Sequence, residues 1–123
     1  YKWINQVKSG RPITFFGDGT TSRGYTYVED IIRGTIECLT NPNADREEFN
    51  MGGDQIVKLE ELYNIFKSVL PVERIILPMP EADQKHYLAD TSKARMLLGW
   101  KHQTDIKKKI KQIIESELKS NPV

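Results

Sequence analysis

The chain has 123 residues, 38% of them hydrophobic, which sizes it for one domain with a modest core. Its 18 basic and 17 acidic side chains leave a net charge of +1, so no global field argues for nucleic acid or a membrane surface. No apolar run approaches the ~18 residues of a membrane span, and the lone Cys38 allows no internal disulfide and fits a reducing compartment.

In chain order, Trp3, Ile4 and Val7 fall on one helical face, and Gly10 sits where a C′ glycine ends a helix. A chain that opens on Tyr1 partway through a helix reads as cut from something longer. Ile13 to Phe16 is predicted as a short strand, followed by a turn-rich loop from Gly17 to Gly24. Thr26 and Glu29 stand in the S/T-x-x-E spacing of a capping box, and Val28, Ile31, Ile32, Thr35, Ile36 and Leu39 then recur at helical spacing until Asn41-Pro42. Cys38 on that helix reads as a small core residue. Glu48 to Met51 is predicted as a strand closed by Gly52-Gly53, and a helix follows from Lys58 to Leu70 with Leu59, Leu62, Phe66 and Val69 on one face. Arg74 to Leu77 is β-rich and bounded by Pro78 and Pro80. Asp90 is placed to cap a helix through Leu98 with Gly99 as its stop, and Ile106, Ile110, Ile113 and Ile114 line the last helix.

The stretch from Phe15 to Val28, F-F-G-D-G-T-T-S-R-G-Y-T-Y-V, carries the most chemistry. A strand offers backbone donors and acceptors to a nucleobase edge. The turn behind it returns a guanidinium, which can hold a pyrophosphate bidentately where a lysine would act as a point charge. Further along stand Phe49-Asn50-Met51-Gly52-Gly53, then Pro78-Met79-Pro80-Glu81-Ala82-Asp83, then Ala89-Asp90-Thr91-Ser92-Lys93-Ala94 leading to Leu98-Gly99-Trp100. In that order and spacing the chain resembles the carboxyl-terminal, substrate-binding part of the extended short-chain dehydrogenase/reductases, the NAD-dependent nucleotide-sugar epimerases and dehydratases.

The resemblance covers nearly the whole chain and implies an α/β fold of short strands with about four to five helices. It implies that residues 1–123 are a nucleotide-sugar-binding fragment whose parent carries an N-terminal NAD-binding Rossmann domain absent here. Carried over by position, it puts Thr14, Phe15 and Phe16 beside the nucleobase, Arg23 on the diphosphate with Tyr25 close by, Asp83 on a ribose or sugar hydroxyl, and Tyr87 at the sugar ring. Strand alternation makes one of Phe15 and Phe16 a core residue whatever the other does. The parent would be a UDP-sugar 4-epimerase, with a nucleotide-sugar 4,6-dehydratase or UDP-glucuronate decarboxylase as the nearest alternatives. A non-catalytic nucleotide-sugar module and a basic-helix interaction domain are the readings from other classes. NAD would belong to the parent, the location would be cytoplasmic, and the fragment alone would be inactive. It is also expected to self-associate through the helix bearing Ile32 and the strand near Phe49, since bare apolar faces and strand edges both promote association.

Three residues depart from the family pattern. Pro80 stands where an arginine often serves as a second phosphate ligand, Gly24 where an acid commonly follows the loop arginine, and Ala82 where a turn glycine is usual. Lys85 and His86 are the side chains nearby in sequence that could replace the missing charge.

Several patterns mislead. Tyr63-Asn64-Ile65-Phe66-Lys67 spells the Y-x-x-x-K of this superfamily's catalytic pair but sits on an amphipathic helix of the wrong part, so no catalytic residue is assigned. Gly17-Asp18-Gly19 and Gly52-Gly53 lack the spacing of a dinucleotide-binding turn, so no cofactor-binding residue is assigned either. His86 and His102 have no metal-site spacing, and Lys107, Lys108, Lys109 and Lys111 read as a solvated helix face.

Overall fold

The computed structural model describes residues 1–120, which form an α/β chain whose contacts divide it into two compact units. The first comprises Tyr1–Ser22, Val57–His86 and the residues from Lys107; the second comprises Arg23–Ile56 and Tyr87–Ile106. No described helix is long and apolar enough to cross a membrane.

In the first unit, helix α1 (Lys2–Lys8) leads through Gly10, whose φ of 66° suits the left-handed position just past a helix end, into strand β1 (Ile13–Phe16). β1 pairs in parallel with β4 (Arg74–Leu77), Ile13 opposite Arg74 and Phe16 opposite Leu77. Period-2 alternation turns Ile13 and Phe15 into the core and leaves Thr14 and Phe16 half-buried. Helices α3 (Leu59–Val69) and α5 (Ile106–Lys119) bring Tyr63, Phe66 and Ile114 to the same core, with Trp3 and Ile4 from α1. Trp3 stacks on Phe15 with ring centroids 6.2 Å apart and meets Phe66 edge-on at 5.5 Å. Phe15 is only 1% exposed, and burial of a ring that size stabilises the fold by roughly 1.5–3 kcal/mol. Ion pairs Lys8–Glu117 at 2.8 Å and Glu61–Lys107 at 2.6 Å lie on the surface of this unit. They are worth little individually.

In the second unit, α2 (Val28–Thr40), a 3-10 turn (Pro42–Ala44) and α4 (Ser92–Leu98) surround Ala94, Leu98 and Trp100, against which Ile31, Cys38, Phe49 and Met51 pack. Cys38 is thus the small half-buried core residue its position suggested. Asp30, 2% exposed, is the polar centre of this unit. Its carboxylate accepts from Arg33 Nη2 at 2.5 Å, Gln103 N at 2.9 Å and Thr104 N at 3.2 Å, while its carbonyl accepts from Trp100 Nε1 at 2.8 Å. The other strands, β2 (Ser22–Tyr25), β3 (Gln55–Lys58) and β5 (His86–Tyr87), form a sheet in the order β3-β2-β5.

Four local expectations are corrected. The loop predicted from Gly17 to Gly24 stops at Thr21, because Ser22–Tyr25 pairs into the sheet as β2 and carries Arg23 on a strand. Glu48 to Met51 is not a strand: Phe49 and Met51 do turn inward, but against the helices around Trp100, without a ladder partner; the strand begins instead at Gln55. No capping box forms at Thr26, because its hydroxyl accepts a hydrogen bond from Gly53 N and Tyr27 becomes the N-cap. At α4 the N-cap shifts one residue to Thr91, although Asp90 Oδ1 still takes up the Ser92 N–H at 2.9 Å.

Candidate functional site

In β1, the Ile13 and Gly17 N–H groups donate toward β4, to Glu73 O and Leu77 O, each at 2.9 Å. Alternation along a parallel ladder therefore directs the main-chain groups of Thr14 and Phe16 to the opposite edge. Those of Thr14 are occupied: its N–H donates to Gln6 Oε1 at 3.2 Å and its carbonyl accepts from Trp3 Nε1 at 2.9 Å. The Gln6 amide also donates to Thr14 Oγ1 at 3.1 Å, so this one α1 side chain holds both the N–H and the hydroxyl of Thr14. Phe15 is the core member of the aromatic pair, its ring edge-on to Tyr63 at 5.9 Å. Phe16 is half-buried, with Lys2 Nζ 5.1 Å from its ring centroid. Phe16 thus has the more accessible ring.

The Gly17 turn lies against Met79 of the Pro78–Asp83 loop, since a Cβ built at Gly17 would meet Met79 Cβ at 3.5 Å. Asp83 is exposed in that loop and its N–H closes a turn onto Pro80 O at 3.0 Å. In the same unit Ser22 N donates to Lys85 O at 2.8 Å, and Ser22 Oγ lies 2.9 Å from His86 Nδ1.

In the second unit, Arg23 and Tyr25 are two residues apart on β2, so both half-buried side chains leave the same face of the strand. Burial raises the Tyr25 phenol above its ordinary value of 10.0, and the Arg23 charge pulls it part of the way back. The guanidinium is therefore within electrostatic reach of the phenol. Tyr87 is 63% exposed on β5, the strand next to β2 in the sheet. The structure thus brings Arg23, Tyr25 and Tyr87 onto one sheet, while Thr14, Phe15, Phe16 and Asp83 belong to the first unit. Gly24, between Arg23 and Tyr25 on β2, lies against Gly53, and a Cβ there would fall 1.8 Å from Gly53 O. No side chain fits at that position.

Tyr63 and Lys67 do not form an accessible pair. Tyr63 is buried, its hydroxyl donates to Val72 O at 2.9 Å, and Lys67 Nζ sits 5.8 Å from its ring centroid. Among the described residues no three His, Cys, Asp or Glu side chains are placed to share a metal ion. The Gly17-Asp18-Gly19 turn leads into β2 and Gly52-Gly53 leads toward β3, so neither opens a helix that could cradle a dinucleotide.

Two groupings escaped sequence reasoning. The Arg74 guanidinium is sandwiched 4.4 Å from the Phe15 ring centroid and 4.5 Å from that of Tyr63, and its Nη1 bonds Glu60 Oε2 at 2.6 Å. His102 Nδ1 lies 2.8 Å from Asp54 Oδ2. Neither set has a local signature, since the partners are tens of residues apart in sequence.

The family model described as NAD dependent epimerase/dehydratase family matches residues 1–52. The UDP-glucuronate 4-epimerase of Thermodesulfobacterium geofontis is 35% identical over 116 residues, covering 92% of this chain and 34% of that protein. UDP-glucuronic acid decarboxylase 1 of Danio rerio is 31% identical over 100 residues, covering 80% of this chain and 23% of that protein. Among solved structures, the UDP-glucuronic acid 4-epimerase of Bacillus cereus in complex with UDP-glucuronic acid and NAD superposes with a TM-score of 0.84 at 25% identity, over 98% of this chain and 39% of that one. The UDP-glucose 4-epimerase of Thermotoga maritima with UDP-glucose gives 0.81 at 25% identity, over 96% of this chain and 38% of that one. The chain spans about a third of the length of the first curated relatives it matches, 34% to 35%. This chain belongs to the NAD-dependent epimerase/dehydratase family.

Proposed function

We propose that this chain is the nucleotide-sugar-binding part of a longer NAD-dependent UDP-sugar 4-epimerase, and that it orients the substrate without performing the chemistry. The observation that carries this reading is the placement of Arg23 and Tyr25 on one face of β2, with Tyr87 on the neighbouring strand, in a chain 35% identical over 116 residues to a UDP-glucuronate 4-epimerase. A guanidinium on such a strand can grip a diphosphate bidentately. Tyr87 supplies an exposed ring and hydroxyl for the sugar, and Asp83 an exposed carboxylate for a hydroxyl donor. Phe16 offers its half-buried ring to the base, while the main-chain groups of Thr14 are already held by Trp3 and Gln6.

The hydride would be taken and returned by NAD, whose chemistry is the cofactor's own. In the proposed parent, NAD would be held by an N-terminal Rossmann domain outside these 123 residues. In this proposal the 123-residue chain catalyses nothing by itself, and its location is the cytoplasm. Its α2 leaves Val28, Ile32, Ile36 and Leu39 exposed, which favours self-association of the isolated chain. A UDP-glucuronate decarboxylase parent is the second reading, favoured by the 31% identity to the Danio rerio enzyme; a non-catalytic nucleotide-sugar module is the third.

Chemical-shift mapping of the chain with UDP-glucuronic acid tests the proposal. Saturable shifts at Phe16, Arg23, Tyr25, Asp83 and Tyr87 are expected. Binding that spares all five, or no binding at all, would overturn it.

A further inference from the structure

Helix α3 begins against the turn that joins β1 to β2. The first N–H groups of a helix have no intrahelical partner, and at α3 two of them are met from this turn. Leu59 N donates to Thr21 O at 2.8 Å and Glu60 N to Gly19 O at 3.1 Å. Within the turn, Asp18 Oδ1 accepts from Thr20 N at 3.0 Å and from Thr20 Oγ1 at 2.6 Å. Gly19 is buried on the side chains below it, since a Cβ there would fall 2.8 Å from Phe15 Cζ and 2.9 Å from Glu60 Oε2. That same Glu60 oxygen accepts from Arg74 Nη1 at 2.6 Å. The Arg74 guanidinium is in turn clamped between the Phe15 and Tyr63 rings, at 4.4 and 4.5 Å from their centroids. A planar guanidinium stacked on two aromatic faces has one orientation, and it passes that constraint to the carboxylate it bonds. All of these residues lie in the first unit.

We propose that Glu60 and Arg74 are positioning residues for nucleotide-sugar binding, holding the turn from Gly17 to Thr21 in the docked form that the site requires. The inference rests on the substrate reading above, in which Phe16 precedes this turn and Arg23 follows it by two residues. Main-chain bonds at a helix end fray readily; the clamped Glu60–Arg74 pair gives Gly19 a fixed surface to lie on. A turn that is docked for only a fraction of the time presents a competent site for that fraction, and the apparent Kd rises by its inverse. Neither side chain needs to touch the ligand.

Amide hydrogen exchange and titration with UDP-glucuronic acid on wild type, Glu60→Ala, Glu60→Gln and Arg74→Ala test the proposal. The amides at positions 59 and 60 report docking without any ligand, because their acceptors lie in the turn. In both alanine variants they are expected to exchange at least fivefold faster, while amides in the middle of α5 keep their protection. Kd is expected to rise about fivefold, as a docked fraction of about one fifth requires. Glu60→Gln keeps an oxygen to accept from Arg74 and should restore most of both. Glu60→Ala suffices should Arg74→Ala, which leaves a gap between two rings, fail to fold. Unchanged exchange at positions 59 and 60, or faster exchange there with an unchanged Kd, would overturn the proposal and leave the substrate reading standing. No binding by wild type, or equal Kd for wild type and Arg23→Ala, would instead overturn the substrate reading and this proposal with it.

Discussion

Gly24 and Gly53 approach so closely that a Cβ on Gly24 would fall 1.8 Å from Gly53 O and 2.5 Å from its carbonyl carbon. The glycine that follows Arg23 is thus demanded by packing. The clash is with main chain, which cannot swing aside like the end of a flexible side chain. Gly24→Ala is expected to destabilise the chain by about 3 kcal/mol, at the upper end of ordinary overpacking costs. Gly24→Asp, nominally a return to the family pattern, should do at least as much damage and improve no binding. Urea denaturation checks both, and wild-type stability in either variant would mean that the two backbones are farther apart.

Asp30 should set the acid limit of the second unit. Burial pushes its carboxyl upward, but the bonds from Gln103, Thr104 and Arg33 outweigh this and hold it below its ordinary 3.8. A group with a depressed folded pKa contributes stability that is fully present well above the unfolded value and is lost as pH falls through 3.8 toward the lower folded value. Asp30→Asn is therefore expected to cost about 2 kcal/mol at neutral pH and to flatten the stability profile below pH 4. Thermal melts across that range measure both effects; parallel profiles for wild type and variant would refute the assignment.

Purified chain should show no turnover of UDP-sugars with or without added NAD+. Tyr63→Phe should leave that blank assay blank and cost about 1 kcal/mol of stability, because Val72 O loses its donor. Turnover that Tyr63→Phe abolishes would make the buried tyrosine a catalytic residue after all.

The exposed stripe of Val28, Ile32, Ile36 and Leu39, with Leu39 81% exposed, is expected to draw copies of the chain together. Light scattering should report a mass above that of the monomer, rising with concentration. Ile32→Glu combined with Leu39→Lys should return it to the monomer. A monodisperse wild-type monomer at high concentration would end this prediction.

Much of the fold is legible wherever local pattern and tertiary demand agree. The alternation in Ile13 to Phe16, the spacing of Leu59, Leu62 and Phe66, and the glycines after α1 and α4 each name an element that is present. Misreadings arise where a distant partner decides. Thr26 has the spelling of a cap, but its hydroxyl is engaged by Gly53, 27 residues away. Phe49 and Met51 alternate like a strand but find helices instead of a ladder. Within the candidate site, Arg23 reads as part of the loop from Gly17 to Gly24, and its sharing of a strand face with Tyr25 emerges only once Ser22–Tyr25 pairs into the sheet. The occupation of the Thr14 main chain by Trp3 and Gln6, and the clash that forbids a side chain at Gly24, emerge only when the chain is folded.

The proposed substrate role is tested most directly by titrating wild type and Arg23→Ala with UDP-glucuronic acid and comparing their dissociation constants. Removal of a bidentate, charge-assisted grip on the diphosphate should cost about 2 kcal/mol, a roughly thirtyfold weaker Kd. Equal affinities in the two proteins would contradict the assignment of Arg23 to the diphosphate, and with it the proposal that this chain orients a nucleotide sugar.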